Sequence, residues 1–563
     1  MDFVITNVLA AAEQIFQLKS MILLFTGVLA GLVAGAIPGF TIAMAVILTL
    51  PFTFGMSAVE GLTTMLGVFV GGLSGGLMSG MLTGIPGTPS SVATTFDGFP
   101  LVRKGRPGLA LGLGVWSSFF GGLISAVILM TLAPALAQIG LEFGPWGYFS
   151  LILFALTITA SLAGENLVKG LISGAVGLLV ATVGEDPING VERLKFGIEA
   201  LEQGFAFLPV LIGLFAFSQL LSDVQDSERA RRPLMERGAQ AVKIEHAAAI
   251  REIFRQWVNL LRSSFIGVFV GILPAAGGSI SNILAYDQAK KASLTPEKFG
   301  TGATEGIIAP EAANNATAGG ALTIMMALGI PGDIVAAVML GALLIHDVVP
   351  SPSFISDEPL IAYSIFIAFF FAHFVMIALQ AFGLRIFVLI TRLPMYILTA
   401  VILSYCAIGV FALSNVIFDI WVLLIFGVLG YAMRTLGFAL APMILGVVLG
   451  HLAELNLNRA ISTSDDMTMF ITRPWSLFFL ILAAYSAVFP WFQKDRGKKR
   501  WTLWFLPAMS ISTALPLFLM GGVVRPIIGG LLLALGGTLL WGHARNGWRL
   551  EPVAEHDIHL EED

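Results

Sequence analysis

Charge is what this chain has least of. Asp, Glu, Lys and Arg make up 12% of its 563 residues and hydrophobic residues 56%, where soluble domains average about 25% and about 45–50%. That balance excludes a soluble globule and predicts an integral membrane protein embedded in the lipid bilayer. Six acids fall in the last thirteen residues, so the net charge of -5 marks no binding face and no nucleic-acid partner is expected. Cysteine is all but absent: Cys406 stands alone in an apolar run, which excludes an intrachain disulfide. There is no Gly-x-x-x-x-Gly-Lys-Ser/Thr phosphate loop, so the chain is not expected to use ATP. Nor is there a His-Glu-x-x-His pair, and the seven histidines are scattered. Residues 1–20 carry Asp2, Glu13 and Lys19 but no basic leader or small-residue cleavage pattern, so the run from Met21 is expected to be a retained helix.

Glycine and proline, by contrast, are plentiful and placed with regularity. Gly-Ile-Pro-Gly occurs at Gly84–Gly87 and again at Gly329–Gly332, each time after a Gly-x-x-x-Gly-x-x-Pro element, at Gly31–Pro38 and Gly267–Pro274. The first element recurs after 236 residues (31 to 267) and the second after 245 (84 to 329). Matching Pro-Gly breaks in two hydrophobic halves point to the binding site of a secondary transporter. The expected fold is an all-α integral membrane protein of two related repeats with broken or re-entrant helices, in about 12–16 membrane segments. Residues 20–222 form the first repeat, 223–262 a cytoplasmic amphipathic linker, and 263–491 the second repeat; 492–563 add two further membrane helices and an acidic tail. Segments 21–52 and 304–330 are expected to be broken or re-entrant, the first by Pro38-Gly39 and the second by its polar content.

Lys and Arg set the orientation. The 494–500 linker, the Arg103-Lys104-Arg106 loop and the 223–262 linker are predicted to be cytoplasmic, along with both termini. Lys290, Lys291 and Lys298 then fall outside, which argues that a segment near them is a hairpin rather than a span. Ile250, Phe254, Trp257 and Leu261 lie at helical spacing beside Arg251, Arg255 and Arg262, the pattern of an interfacial helix. Gly72, Gly76, Gly80 and Gly84 recur every four residues, which lets a second backbone approach closely.

After Gly87, Thr88 suits a cap, Pro89 a first helical position, and Ser90 and Ser91 follow. Free N–H groups and hydroxyls there suit a carboxylate. In the second copy Asp333 takes the place of Thr88, and serves either as a plain cap or as a cation ligand. The most polar apolar-flanked stretch runs from Glu305 through Glu311, Asn314, Asn315 and Thr317 to Gly320, and intramembrane carboxylates and amides are functional by default. The break after Pro274 leads to Gly278, Ser279, Ser281 and Asn282. The substrate set expected from this reading is Gly87, Thr88, Ser90, Ser91, Gly278, Ser279, Asn282, Asn314, Asn315 and Thr317. The cation-coupling set is Glu305, Glu311 and Asp333, with a sodium site of unassigned ligands and no catalytic residue. No cofactor is expected beyond the coupling ion, sodium or proton.

These residues carry a family resemblance. Segment 31–41, the run GIPGTPSSVATTFDGFP, and above all GVFVGILPAAGGSISNILAYDQAKKAS, FGTGATEGIIAPEAANNATAGG and ALGIPGD within 267–350 resemble the large membrane subunit of tripartite tricarboxylate transporters, the TctA family. The resemblance covers roughly residues 20–490. It implies a bacterial inner-membrane permease that takes a carboxylate from a periplasmic solute-binding protein, works with a small membrane subunit and is driven by an ion gradient. Two positions depart from the family's pattern: Ala275 stands where Gly is usual, and Ser74-Gly75-Gly76-Leu77 replaces a Tyr-Gly-Gly-Ser-like run. Alternative readings are an ion-coupled organic-anion carrier that needs no binding protein, and a membrane-embedded hydrolase using Glu305, Glu311 or Asp97. Against the hydrolase, no nucleophile sits beside a base in the motif stretches.

Energetics agree with a coupled carrier. Moving a trianion inward against about 150 mV costs roughly 10 kcal/mol, at about 2.3 kcal/mol per charge per 100 mV. One helix terminus contributes only ~0.3–1 kcal/mol. Both repeats are therefore expected to contribute, one to the anion and one to the cation.

Overall fold

The computed structural model describes residues 2–37, 40–162, 166–186, 190–225, 243–274, 276–390 and 395–550. Pro38-Gly39, Ala275, most of the charged part of the linker and the acidic tail lie outside them. Helix α1 (Asp2–Ile15) was not foreseen from composition. There follow α2 (Leu18–Ala36), α3 (Ile42–Thr53), α4 (Ala58–Thr83), a 3-10 turn at Pro89–Ser91, α5 (Val92–Arg103), α6 (Pro107–Gly140), α7 (Gly144–Leu162) and α8 (Leu167–Ala181). A two-residue hairpin pairs Gly184–Glu185 with Glu192–Arg193. Helix α9 (Phe207–Ile212) continues as a π turn over Gly213–Phe217 and then as Ser218–Gln225. The second half contains α10 (His246–Arg255), α11 (Trp257–Ile272), α12 (Gly277–Ala292), α13 (Glu305–Leu328), α14 (Ile334–Ile345), α15 (Pro359–Ile390), α16 (Met395–Ser414), α17 (Ile417–Thr435), α18 (Leu440–Thr463), α19 (Pro474–Asp495), α20 (Thr502–Leu519) and α21 (Val524–Arg545). Ten helices among the described residues are long and apolar enough to cross a membrane.

Small residues decide how the core packs. A Cβ on Gly27, Gly31 or Gly35 of α2 would lie 2.2–2.3 Å from the carbonyl oxygens of Thr64, Val68 or Gly72 on α4, so only glycine fits. The same holds between α11 and α13, where Gly267 meets the Ala313 oxygen at 2.3 Å and Gly271 the Thr317 oxygen at 2.2 Å. Contact positions rise together in both pairs, so α2 runs parallel to α4, and α11 to α13. Gly31 to Gly267 and Gly35 to Gly271 are both steps of 236; Val68 to Ala313 and Gly72 to Thr317 are both steps of 245. The two packing interfaces thus correspond position for position. Without a hydrophobic drive between helices in lipid, such close backbone approach is what holds them together.

The broken elements are hairpins. Lys19, at the start of α2, pairs with Glu60 at 2.7 Å, and Thr53, at the end of α3, packs on Gly61, so α2–α3 leaves and returns at the face where α4 begins. Asn259, near the start of α11, donates to the Glu305 carbonyl at 3.3 Å, and Ser293, just past α12, donates to the Glu305 carboxylate at 3.3 Å. Helices α11–α12 therefore leave and return at the face where α13 begins. That places Lys290, Lys291 and Lys298 on the same face as Arg103 and Arg106, since Gly302 packs on Leu101 and Arg106 pairs with Glu245 of the linker. Helices α4 and α13 run in opposite directions: α5, which follows α4, meets the start of α13, and His346, after α14, meets Gly61 at the start of α4.

One expectation needs correction. Segment 304–330 is neither broken nor re-entrant but the unbroken helix α13. Its amide donors and its carboxylate find partners on neighbouring helices and on the helix itself, so these polar side chains do not interrupt it. In the linker, Ala249, Ile253 and Leu260 are the residues that pack inward, while Phe254 and Trp257 are exposed at 58% and 57%. These rings extend a stripe through Val258, Phe265 and Phe269 of α11 that suits lipid.

Candidate functional site

Both Gly-Ile-Pro-Gly copies do the same local job. Gly84 ends α4 and Gly329 ends α13 in the left-handed conformation, at φ +80° and +71°, which a Cβ would oppose. The chain then turns so tightly that a Cβ on Gly87 would meet the Gly35 oxygen at 2.2 Å, and one on Gly332 the Gly271 oxygen at 2.0 Å. Each turn is thereby clamped against the break of its own hairpin. The turn after the first copy packs on α12 and α13, and α14, which follows the second, packs on α3 and α4.

A buried polar network fills the crossing. Thr88, Ser90 and Ser91 are all buried, and the Thr88 hydroxyl lies 3.1 Å from that of Ser90 and 3.4 Å from that of Ser91. Gly76 lies beneath them, where a Cβ would be 2.4 Å from the Thr88 hydroxyl. Gly278 faces them from α12: a Cβ there would be 2.9 Å from Ser90 Cβ and 2.6 Å from Asn314 Oδ1. Asn314 donates to the Leu73 carbonyl at 3.1 Å, and its Oδ1 is buried without a hydrogen-bond partner among the described residues. Asn315 accepts from Ser74 at 3.0 Å and donates to the Glu311 carbonyl. Thr317 pairs with Ser281 at 2.6 Å. Asn282 accepts from the Ala93 backbone N–H at 2.7 Å and donates to Thr94, so one donor of the first α5 turn is already satisfied.

Glu311 is fully buried. Its carboxylate accepts from Thr94 at 2.6 Å and Ser118 at 2.8 Å, and no Lys, Arg or His nitrogen lies within ion-pair distance among the described residues. One turn beyond Ser118, the buried ring of His373 packs on Gly122, its Nδ1 2.8 Å from the Phe369 carbonyl and its Nε2 without a partner among the described residues. Thr94 carried a weak sequence signal as a hydroxyl in the first motif. Ser118 and His373 carried almost none, because each is a single polar residue in a long apolar helix.

The other predicted residues lie elsewhere. Glu305 sits six residues before Glu311, about 9 Å along the helix axis, at the membrane face with Ser293. Ser279 is half-buried and joins none of these hydrogen bonds. Asp333 caps α14, accepting from the Ala336 N–H at 2.7 Å. Asp97 accepts from Tyr286 and from the backbone N–H groups of Gly302 and Ala303, tying α5 to the start of α13.

The family model of the tripartite tricarboxylate transporter TctA family matches residues 21–445. The chain belongs to that family. It is therefore a membrane transporter component, and the expected resemblance holds over three quarters of its length. An uncharacterized 52.8 kDa protein from the TAR-I ttuC' 3'region of Agrobacterium vitis is 31% identical over 477 residues, 84% of this chain and 94% of that protein. A second uncharacterized protein, from the TAR-II ttuC' 3'region of the same organism, is 31% identical over 234 residues, 41% of this chain and 97% of its own length. No solved structure matches.

Proposed function

We propose that this protein is the permease of an ion-gradient-driven uptake system for di- or tricarboxylates in a bacterial inner membrane. It works with a small membrane subunit and a periplasmic solute-binding protein. The two halves act as inverted repeats: α2–α3 and α4 enter from one face, and α11–α12 and α13 from the other. The reading is supported by hairpins of opposite direction meeting at two proline-glycine turns, the arrangement secondary carriers use at the membrane midplane. The basic face, with Arg103, Lys104, Arg106, Lys290 and Lys291, is cytoplasmic on the positive-inside rule.

The observation that carries the site is Asn314 Oδ1. A buried acceptor without a donor costs about 1–3 kcal/mol, and this one faces Gly278 and Ser90 where hydroxyls from the first Gly-Ile-Pro-Gly turn converge. Substrate engages Thr88, Ser90 and Ser91 beside Gly278 when the hairpins part, while Asn282, Asn315 and Thr317 hold the helices in register. Glu311 takes the coupling cation, because a carboxylate buried among hydroxyls, with no basic partner among the described residues, is costly in charged form. Asp333 serves α14 as a cap.

The test is uptake of labelled di- and tricarboxylates into proteoliposomes, with and without the binding protein and small subunit, under imposed proton or sodium gradients. Accumulation that needs the binding protein and follows one gradient supports the reading. Uptake independent of the binding protein favours the stand-alone carrier, and no carboxylate uptake under any condition overturns both.

A further inference from the structure

A second polar feature lies away from the buried network. At the end of α13 opposite Glu305, a cavity of ≈ 510 Å³ opens between α6 and α13 on one side and α7 and α18 on the other. That volume is in the range that holds a small ligand. Its floor is Gly329-Ile330 of the second Gly-Ile-Pro-Gly turn, and its rim includes Gly140 at the end of α6 and the 349–353 loop. Helix α6, 34 residues and about 50 Å long, starts at the basic face, so the cavity opens at the other one.

The walls are largely apolar, which makes their polar groups conspicuous. Asn456 and Arg459 stand one turn apart on α18, and Tyr148 projects from α7. The Tyr148 hydroxyl is buried without a hydrogen-bond partner among the described residues. Arg459 is exposed and has no carboxylate within ion-pair distance among the described residues. Of the other arginines at this face, Arg525 pairs with Glu142 at 2.6 Å and Arg193 grips Glu454, while Arg473 at the start of α19 lines no part of the cavity. Asn456 already donates to the Leu452 carbonyl at 2.8 Å, so the open guanidinium, a donor with no acceptor of its own, is the group that favours an anion, with the phenol hydroxyl as a second donor beside it.

We infer that this cavity is the outward-facing vestibule of the transport path, in which Arg459, with Tyr148 and Asn456, receives a carboxylate before it reaches the buried turns. The inference rests on the carboxylate-carrier reading and adds where the substrate is first held. The apolar walls then matter as well, since a guanidinium beside low-dielectric surface attracts an anion more strongly than one in open water.

The test compares wild type with Arg459→Gln and Arg459→Lys in proteoliposomes, using a carboxylate that the wild type accumulates. Arg459→Gln is expected to raise the half-saturating concentration about tenfold, the effect of losing one contact to a charged group, with the maximal rate largely kept. Arg459→Lys is expected to recover part of it. In a Cys406→Ser background, Asn456→Cys is expected to react with an impermeant thiol reagent added outside, and saturating substrate is expected to slow that reaction. Unchanged half-saturation in Arg459→Gln together with labelling that substrate does not slow overturns the vestibule while leaving the carrier intact. A lipid headgroup would share the chemistry; labelling that responds to the anionic lipid content of the vesicles and not to substrate overturns it too. Failure of the wild type to take up any carboxylate is the separate failure of the carrier reading.

Discussion

The hydroxyl of Thr94 donates to the carboxylate of Glu311 across 2.6 Å, although 217 residues separate them in the chain. The bond joins α5, which follows the first Gly-Ile-Pro-Gly turn, to α13, which precedes the second. Whatever changes the charge on Glu311 therefore acts on the contact between the two halves. Ser118 holds the other carboxylate oxygen at 2.8 Å and brings α6 into the same contact. A cation or proton that binds at Glu311 thus has a mechanical route to the turn that carries Ser90 and Ser91.

Glu311→Gln is expected to abolish gradient-driven accumulation while leaving substrate exchange across the membrane measurable, since glutamine keeps the acceptor to Thr94 but cannot gain or lose a charge. Parallel assays of net uptake and of counterflow in proteoliposomes separate the two. Accumulation at the wild-type level, with unaltered dependence on the ion gradient, would remove Glu311 from coupling.

The two Gly-Ile-Pro-Gly copies are expected to respond differently. Ser90→Ala combined with Ser91→Ala is expected to raise the half-saturating substrate concentration roughly ten- to hundred-fold, the value of a hydrogen bond to a charged group, about 1.5–3 kcal/mol. Asp333→Asn is expected to change neither substrate nor ion dependence, because asparagine caps a helix about as well as aspartate. A shift in ion dependence with Asp333→Asn would return that residue to the coupling site.

Gly71→Ala is expected to destabilise the fold by about 1–3 kcal/mol, the usual cost of overpacking. Its new Cβ would stand 2.2 Å from the Val28 carbonyl oxygen on α2, so the two helices would have to part. Gly530→Ala on α21 meets nothing within 4 Å and is expected to be neutral or mildly stabilising. Thermal unfolding followed in detergent distinguishes them, and equal melting temperatures would count against the packing account.

The pairing of Glu142 with Arg525 ties α21 to the loop between α6 and α7. The Arg525 guanidinium hydrogen-bonded to Glu142 holds its carboxyl below the ordinary glutamate value. A lowered folded-state value means the contribution is present above the unfolded value and lost as pH falls through the folded one. Glu142→Gln is therefore expected to lower stability slightly near neutrality, by less than about 1 kcal/mol for so exposed a pair. The difference from wild type should vanish in acid. A difference that grows as pH falls would reverse the sign and refute the assignment.

Orientation is open to direct measurement in a Cys406→Ser background, since the Cys406 thiol is buried and makes no contact the site needs. Cysteine at Lys499 and at Leu294, which is 99% exposed, should both resist impermeant reagents applied from outside. Labelling at Leu294 alone would mean that α11–α12 crosses the membrane rather than returning.

Much of the fold was legible because it follows from composition and periodic small residues. A chain with 12% charge must sit in lipid, where backbone groups are satisfied by helices. The Lys290, Lys291 and Lys298 cluster, discordant with a simple count of spans, announced the α11–α12 hairpin, because a re-entrant pair returns the chain to the face it left. What misled was the polar stretch 304–330. Amides and a carboxylate look like a break when their partners are unknown, yet Ser74, Thr94 and Ser118 supply those partners and α13 stays whole. The residues of the buried polar network were legible as types, while their division was not: Asn314 keeps an acceptor free among the described residues, whereas Asn315, the next residue, spends its own on Ser74.

By itself the sequence determined that the protein is a helical membrane protein, that it belongs with the TctA family, and that two glycine-proline turns recur in register, because hydropathy and glycine spacing are local properties of the chain. Only the tertiary structure decided that the hairpins enter from opposite faces, that Glu311 meets Thr94 and Ser118 with no basic partner among the described residues, and that Arg459, without an ion pair among them, stands over a cavity. Those depend on which helices lie side by side, and in lipid that choice is made by backbone approach and buried hydrogen bonds between residues hundreds of positions apart.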